Sequence, residues 1–191
     1  MLIRFHVHAT FFDTGFGDSA YPAYARAVIA AGDVIGNHTF SHPKNWGFRT
    51  HFTTAAQRYQ LVRTADVLTP LIGHRPCVMR PPGGAYDAAS LALVRRLGMS
   101  LVMWTTDTED WHQPPYLSRA YQLVILRNAE AGAARMHPIV LMHAAKASHE
   151  PDCKPRGCLT GQVSSFRGNT VAILPSIIRF YRSHGYRFVV L

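Results

Sequence analysis

The sequence is short of acidic residues, short of cysteines and without any long hydrophobic run. No apolar stretch approaches the ~20 residues of a membrane helix, so we expect no transmembrane segment. The N-terminus lacks the apolar stretch and the small-residue cleavage site of a secretory signal. Basic residues are scattered rather than clustered or interleaved with aromatics, so nucleic acid is not an expected partner.

The shortage of acidic residues gives the chain a strong positive charge. Lys and Arg number 20 against 11 Asp and Glu, for a net charge of +9. This balance favours anionic partners such as acidic lipid or an anionic cell-wall polymer, although solubility alone also explains it. At 191 residues and 48% hydrophobic, residues 1–191 suit a single soluble domain, which we expect to be a monomer.

The chain has only three cysteines. Cys77 lies in an apolar run and is predicted to be a small core residue. Cys153 and Cys158 bracket the polar segment DCKPRGC, where a short-loop disulfide is favoured over free thiols if the compartment is oxidising. The pair therefore indicates export.

Short apolar runs alternate with helical patterns along the chain, which predicts an α/β fold with parallel strands and crossover helices. The predicted strands are Phe5 to Phe12, Asp33 to Asn37, Pro76 to Arg80, Ser100 to Thr106, Ile139 to His143 and Arg187 to Leu191. The predicted helices are Ser19 to Ala31, Thr53 to Ile72, Asp87 to Leu97, Leu117 to Ala131 and Val171 to His184. A complete eight-stranded barrel takes roughly 250 residues, so we expect an incomplete or distorted (β/α) barrel whose first strand is missing.

The segment GNHTFSHP places His38 and His42 four residues apart. On a helical turn this spacing would bring both imidazoles to one ion, as half of a metal site that still needs a third protein ligand. Because the chain has 11 histidines, a chance pair of surface residues is the alternative.

Further chemically versatile residues stand at or just beyond predicted strand ends: Arg80, Asp107, Asp110 and His143. The carboxyl ends of parallel strands carry the active site in barrels and open sheets, so we expect these residues and the histidine pair to share one rim. The polar stretch Ala144 to Gly168 is predicted to be a loop on that rim.

Taken in order, GNHTFSHP, MRPPGGAYD, WTTDTEDW and IVLMH resemble the motifs of the metal-dependent polysaccharide deacetylases, the carbohydrate esterase family with the chitooligosaccharide deacetylase homology domain. The ATFF strand and the closing GYRFVVL are also similar to that family. The resemblance implies a hydrolase that removes acetyl groups from N-acetylated glycans of the peptidoglycan or chitin type. It also implies a divalent ion, with zinc favoured over cobalt or another metal, and an extracellular or cell-wall location.

The resemblance also implies roles for individual residues. His38 and His42 would bind the metal, and His143 would be the general acid that protonates the departing amine. Arg80 would pair with the catalytic-base aspartate, and Asp107 would hydrogen-bond His143 and fix its orientation. The residues implied for substrate binding are Pro82, Gly83, Asp110, Trp111 and Leu141, with the Gly83 backbone N–H as an oxyanion donor and Trp111 and Leu141 lining the acetyl pocket.

The family's first motif, a strand ending in paired aspartates that supplies the base and a third metal ligand, is not found before the ATFF strand. Asp13 follows that strand and so stands at the wrong position for the base. We therefore expect either a truncated version of an active enzyme or a member without activity. The alternatives are an inactive glycan-binding module, an O-deacetylase acting on xylan and, more weakly, a hydrolase of small cyclic amides. His6 and His8 are assigned structural roles.

Overall fold

A computed structural model of the protein describes residues 1–44, 46, 52–146, 151–154, 158 and 162–191. The chain divides into two compact units. The first, called the N-terminal unit below, consists of His6–Met103 with Leu2 and Phe188–Leu191. The second, called the C-terminal unit, consists of Trp104–Arg187 with Met1 and Ile3–Phe5. The expectation that residues 1–191 form a single domain stays a prediction.

The N-terminal unit is built on a parallel sheet of four strands. In spatial order these are β1 (Thr10–Asp13), β2 (Val34–Asn37), β3 (Val78–Met79) and β4 (Ser100–Leu101). The register places Asp13 opposite Asn37, and Asn37 opposite Met79. Because all four strands run in one direction, their carboxyl ends lie along one edge of the sheet.

The α-helices that accompany this sheet in the described residues are α1 (Gly15–Ala20), α2 (Pro22–Ala30), α3 (Thr54–Ile72) and α4 (Ala88–Arg96). The predicted helix Ser19 to Ala31 corresponds to two helices, because Pro22 begins α2 and cannot continue the hydrogen bonding of α1. The N-cap of α3 is Thr53, whose hydroxyl accepts a hydrogen bond from the backbone N–H of Ala56. Asp87 and Ser90 form a reciprocal capping box at the start of α4.

In its described residues, the C-terminal unit contains a parallel pair of strands, β5 (Thr106–Asp107) and β6 (Val140–Leu141), and the α-helices α5 (Arg119–Glu130) and α6 (Gly168–Ser183). Its core forms where α5 packs on α6, from Ile125, Ala129, Ile173, Ile177 and Tyr181. The parallel α/β class is confirmed in both units. No helix in the described ranges is long and apolar enough to cross a membrane.

Several predictions about elements differ from the structure. The run Ser100 to Thr106 is two strands, β4 and β5, rather than one. The interruption coincides with carbonyls that bond a side chain, since the Arg80 guanidinium donates to the carbonyl oxygens of Val102 and Met103. The run Arg187 to Leu191 is not a strand; the Leu191 N–H donates to the Thr10 hydroxyl rather than to a strand carbonyl.

The predictions for the cysteines have opposite outcomes. The disulfide between Cys153 and Cys158 is confirmed. The prediction for Cys77 is wrong, because its side chain is exposed just before β3 while the flanking Pro76 and Val78 are buried. Within the predicted rim loop, residues 147–150, 155–157 and 159–161 lie outside the described residues.

Candidate functional site

The predicted metal-binding histidines follow β2 directly and lie close together. The ring centroids of His38 and His42 are 4.8 Å apart, with an angle of 65° between the ring planes. The segment that joins them is not the helical turn that the spacing suggests. Thr39 has φ of 65° and His42 has φ of 53°, so two left-handed residues fold the loop back and bring the rings together.

The backbone of the neighbouring strand end orients the first imidazole. Nδ1 of His38 lies 2.7 Å from the carbonyl oxygen of Arg80, which follows β3. Because a carbonyl oxygen only accepts, Nδ1 is the protonated nitrogen of the neutral ring, and Nε2 carries the lone pair that a metal ion requires. The loop is also tied to β1, since the His38 N–H donates to the carbonyl oxygen of Asp13 at 2.9 Å.

Two amide side chains, those of Asn37 and Gln60, hold the loop from His38 to His42, called the histidine loop below, in place. Asn37 is fully buried; its Oδ1 accepts from the N–H of Thr39, and its Nδ2 donates to the carbonyl of Leu61 on α3. Gln60 Oε1 accepts from the backbone N–H groups of Phe40 and Ser41. Asn37 belongs to the GNHTFSHP segment and could be found from the sequence. Gln60 lies far from that segment, and no local sequence pattern indicates its role.

The hydroxyl side chains of Thr39 and Ser41 bond different partners. The Thr39 side chain is buried, and its Oγ1 accepts from the backbone N–H of His42 at 3.2 Å. Ser41 bonds the side chain of Gln60 instead. The hydroxyls thus stabilise the loop backbone that carries the rings.

Arg80 is buried at the end of β3, with an exposed fraction of 8%. Its guanidinium lies 4.2 Å from the centroid of the Phe12 ring and donates to the backbone carbonyls after β4 described above. Burial lowers the pKa of Arg80 to about 10, so the group remains charged at neutral pH. The following Pro82 is buried, and Gly83, with φ of 58°, is exposed in a turn that suits glycine.

Two carboxyl groups belong to elements whose backbone bonds the histidine loop, β1 and α1. Asp13 ends β1, and burial raises its pKa to about 6. Asp18 on α1 is only 6% exposed, and burial first and the Asp13 charge second raise its pKa to about 7. Its Oδ2 has no hydrogen-bond partner among the described residues.

In the C-terminal unit, His143 is paired with a carboxylate beyond the end of β6. Nδ1 of His143 lies 2.8 Å from Oδ1 of Asp110, and the backbone N–H of His143 donates to Oδ2 of the same residue at 3.0 Å. The predicted partner, Asp107, is therefore corrected to Asp110. Asp107 instead accepts a hydrogen bond from the backbone N–H of Glu109, two residues further on.

The same contact engages Asp110, for which a substrate contact is predicted. The Asp110 side chain is fully buried and bonded to His143, and its contact with a substrate stays a prediction. Leu141 is buried at the end of β6, and Trp111 is half-buried with its carbonyl accepting from Ser164. Their proposed place in an acetyl pocket stays a prediction.

The described residues fit a metal ion in part. His38 presents the correct tautomer, and His42 lies beside it. Within the parts of the chain that the structure describes, no group of three or more His, Cys, Asp or Glu side chains is arranged to hold a metal ion. The histidine pair therefore supplies two nitrogen ligands, fewer than the three protein ligands of typical catalytic zinc sites.

Comparison with known proteins identifies the class that these features define. The sequence model described as polysaccharide deacetylase matches residues 1–102, more than half of the chain. A chitooligosaccharide deacetylase from Azorhizobium caulinodans is 31% identical over 182 residues, covering 93% of this chain and 77% of the relative. The chain belongs to the polysaccharide deacetylase family.

Two further relatives extend the similarity over the whole chain. A peptidoglycan-N-acetylglucosamine deacetylase from Bacillus cereus is 28% identical over 190 residues, which is 100% of this chain and 59% of the relative. The crystal structure of a peptidoglycan N-acetylglucosamine deacetylase in complex with 4-naphthalen-1-yl-N-oxidanyl-benzamide has a TM-score of 0.76 at 29% identity, covering 100% of this chain and 76% of that one. The chain thus shares the fold but spans less than two thirds of the B. cereus relative.

Proposed function

We propose that the protein removes acetyl groups from N-acetylated glycans of the peptidoglycan or chitin type. The observation that carries the proposal is the buried Asp110 carboxylate bonded to Nδ1 of His143. This contact leaves Nε2 of the imidazole as the nitrogen that can deliver a proton to a departing amine. Membership of the polysaccharide deacetylase family and the relatives that act on peptidoglycan and chitooligosaccharide support this substrate class.

The histidine pair would hold the divalent ion, for which zinc is the first candidate and cobalt the second. Such an ion, when bound, polarises a carbonyl and lowers the pKa of bound water toward ~7. His38 would bind through Nε2 because its Nδ1 is engaged by the Arg80 carbonyl. Arg80 would act, as the family resemblance implies, by pairing its charged guanidinium with a catalytic-base aspartate.

The residues proposed to contact substrate are those around the strand ends. The backbone N–H of Gly83 would donate to the developing oxyanion, next to the rigid Pro82. Trp111 and Leu141 would supply apolar surface for the acetyl methyl group. An extracellular or wall-associated location is proposed because the disulfide between Cys153 and Cys158 needs an oxidising compartment and because relatives act on peptidoglycan.

Acetate release tests this proposal. Purified chain is incubated with N-acetylated chitooligosaccharide and with peptidoglycan, with added zinc or cobalt, and the acetate is quantified. We expect release that falls by at least 100-fold in His143→Ala, consistent with loss of a general acid. His74→Ala is the matched control, because His74 is an exposed histidine at the far end of α3. No release from any substrate, with metal bound, would contradict the proposal.

A second candidate, a glycan-binding module without activity, is favoured by one observation. The described residues bring only two metal-binding side chains together after β2, without a third. The same preparation distinguishes the two candidates. A binding module would bind chitooligosaccharide, seen as slower migration of the protein in affinity electrophoresis, without releasing acetate. Acetylated xylan is included as a third substrate, since release from xylan alone would indicate an O-deacetylase.

A further inference from the structure

The Asp110 carboxylate has more hydrogen-bond donors than its contact with His143 accounts for. Oδ1 accepts from the imidazole, while Oδ2 accepts both from the backbone N–H of His143 and from the Thr170 hydroxyl, at 2.9 Å. Thr170 is 7% exposed, and it lies 60 residues away in sequence, in the first turn of α6. A side chain from a separate element therefore fixes the oxygen that the imidazole does not use.

The direction of each hydrogen bond in this group follows from the chemistry of the atoms. Nε2 of Gln113 lies 3.1 Å from the Thr170 oxygen, and an amide NH₂ group can only donate. The Thr170 oxygen therefore accepts from Gln113 and uses its single proton to donate to Asp110. An ionised carboxylate only accepts, so Nδ1 of His143 must also be protonated.

We propose that Thr170 is a positioning residue for His143. By holding Oδ2 of Asp110, its hydroxyl fixes the rotation of the carboxylate, and the carboxylate fixes the ring orientation and tautomer of His143. Gln113, which is fully buried, fixes the hydroxyl in turn. The catalytic consequence rests on the proposed function, whereas the effect on the tautomer does not.

The start of α6 is well suited to this task. Asn169, the residue before Thr170, accepts a hydrogen bond from the N–H of Ser118 and donates to the carbonyl of Tyr116. The first turn of α6 is thus tied to the segment that follows Asp110. A β-branched residue at position 170 is restricted about χ1, which limits where the hydroxyl can point.

The test compares Thr170→Val, which keeps the shape and loses the hydroxyl, with Thr170→Ser, which keeps the hydroxyl. Long-range ¹H–¹⁵N correlation spectra of the full chain report the protonated ring nitrogen of His143. We expect a single Nδ1–H tautomer with an observable Nδ1 proton in the wild type and in Thr170→Ser. In Thr170→Val we expect that proton signal to be lost through exchange or a mixture of tautomers to appear.

Kinetics then separates positioning from a merely structural role. For N-acetylated chitooligosaccharide we expect kcat to fall about 10-fold in Thr170→Val with KM unchanged, because part of the contribution of acid catalysis is lost. In Thr170→Ser we expect kcat to recover. An aryl acetate with an acidic phenol as leaving group needs no proton, so its hydrolysis should change less than twofold. Equal losses on both substrates would overturn the proposal.

Two outcomes remain distinguishable if the chain lacks deacetylase activity. Absent acetate release refutes the proposed function, while the spectra still decide the role of Thr170. If the Nδ1 proton persists unchanged in a folded Thr170→Val variant, the positioning role is refuted. Should that variant not fold, Gln113→Met removes the donor to the hydroxyl, and the same loss of the Nδ1 proton is expected; its persistence would also refute the role.

Discussion

Replacing Asp18 with asparagine tests whether a buried carboxyl group makes the folding of this protein depend on pH. The Asp18 side chain is 6% exposed, its Oδ2 has no hydrogen-bond partner in the described part of the chain, and Asp13 lies near enough to repel its charge. The folded protein therefore favours the protonated form of Asp18. The asparagine side chain has nearly the same shape and never ionises.

The expected size follows from the pKa of Asp18, which is raised from 3.8 to about 7. Well below pH 3.8 the group is protonated in both folded and unfolded states and does not change the free energy of unfolding with pH. As the pH rises from 4 to 7 the unfolded state releases the proton and the folded state keeps it, so stability falls. Raising the pKa of Asp18 from 3.8 to about 7 corresponds to a loss of about 4 kcal/mol in the free energy of unfolding by pH 8.

The assay is urea denaturation followed by circular dichroism, at intervals from pH 4 to pH 8, for wild type and Asp18→Asn. We expect the difference in the free energy of unfolding between the two proteins to move in favour of the variant by about 4 kcal/mol across this range. Any effect of the asparagine amide on stability that does not depend on pH is the same at every pH, so it does not contribute to this change. Asp66→Asn is the control, because the Asp66 side chain is 61% exposed.

A difference between wild type and Asp18→Asn that stays constant within about 0.5 kcal/mol from pH 4 to pH 8 would refute the reasoning. Asp13→Asn provides a second check on the cause. Removing the Asp13 charge should lower the pKa of Asp18, because repulsion between the two carboxylates is one of the two causes that raise it. The change should be only partial, because repulsion is the smaller cause. Burial alone would then account for the remaining effect.

Three further predictions concern stability and are measured by thermal or urea denaturation. Asn37→Ala should cost about 2 to 4 kcal/mol, because it leaves two buried backbone groups without their partner. Gly132→Ala should cost at least about 2 kcal/mol, because an added Cβ would overlap the Tyr181 hydroxyl, which is itself bonded to a backbone carbonyl. Replacing both Cys153 and Cys158 with serine opens a loop of five-residue separation and should cost about 2 kcal/mol, or about 5 °C in Tm. Unchanged stability in any variant would contradict its structural account.

The helices and the parallel class were predictable because their determinants are local. Apolar periodicity predicts the start of α3 at Thr53, one residue before its observed start at Thr54, and Gly73 ends the helix with φ of 83°. The long strand from Ser100 was not predictable in its full length. Its interruption involves carbonyls that bond the side chain of Arg80, which comes from another strand and leaves no mark on the local pattern.

The histidine pair shows a different limit of sequence reasoning. Spacing correctly brought His38 and His42 together, but it suggested a helical turn where the structure has a loop with two left-handed residues. Such a loop needs external support to hold its conformation. That support comes from Gln60 on α3 and from Asn37, and contacts of this kind over 20 to 24 residues cannot be read from spacing.

The choice between Asp107 and Asp110 as the partner of His143 depends on a turn that the sequence does not reveal. Both carboxylates belong to the same short segment, and the register sets Asp107 opposite Leu141 at the end of β5. Its side chain accepts from the N–H of Glu109, which has φ of 55°, so the chain turns there and directs Asp110 into the interior. We therefore expect Asp107 to influence His143 only through this turn, which precedes Asp110. Replacement of Asp107 by alanine should disturb the His143 tautomer, whereas asparagine, which can form the same turn, should preserve it.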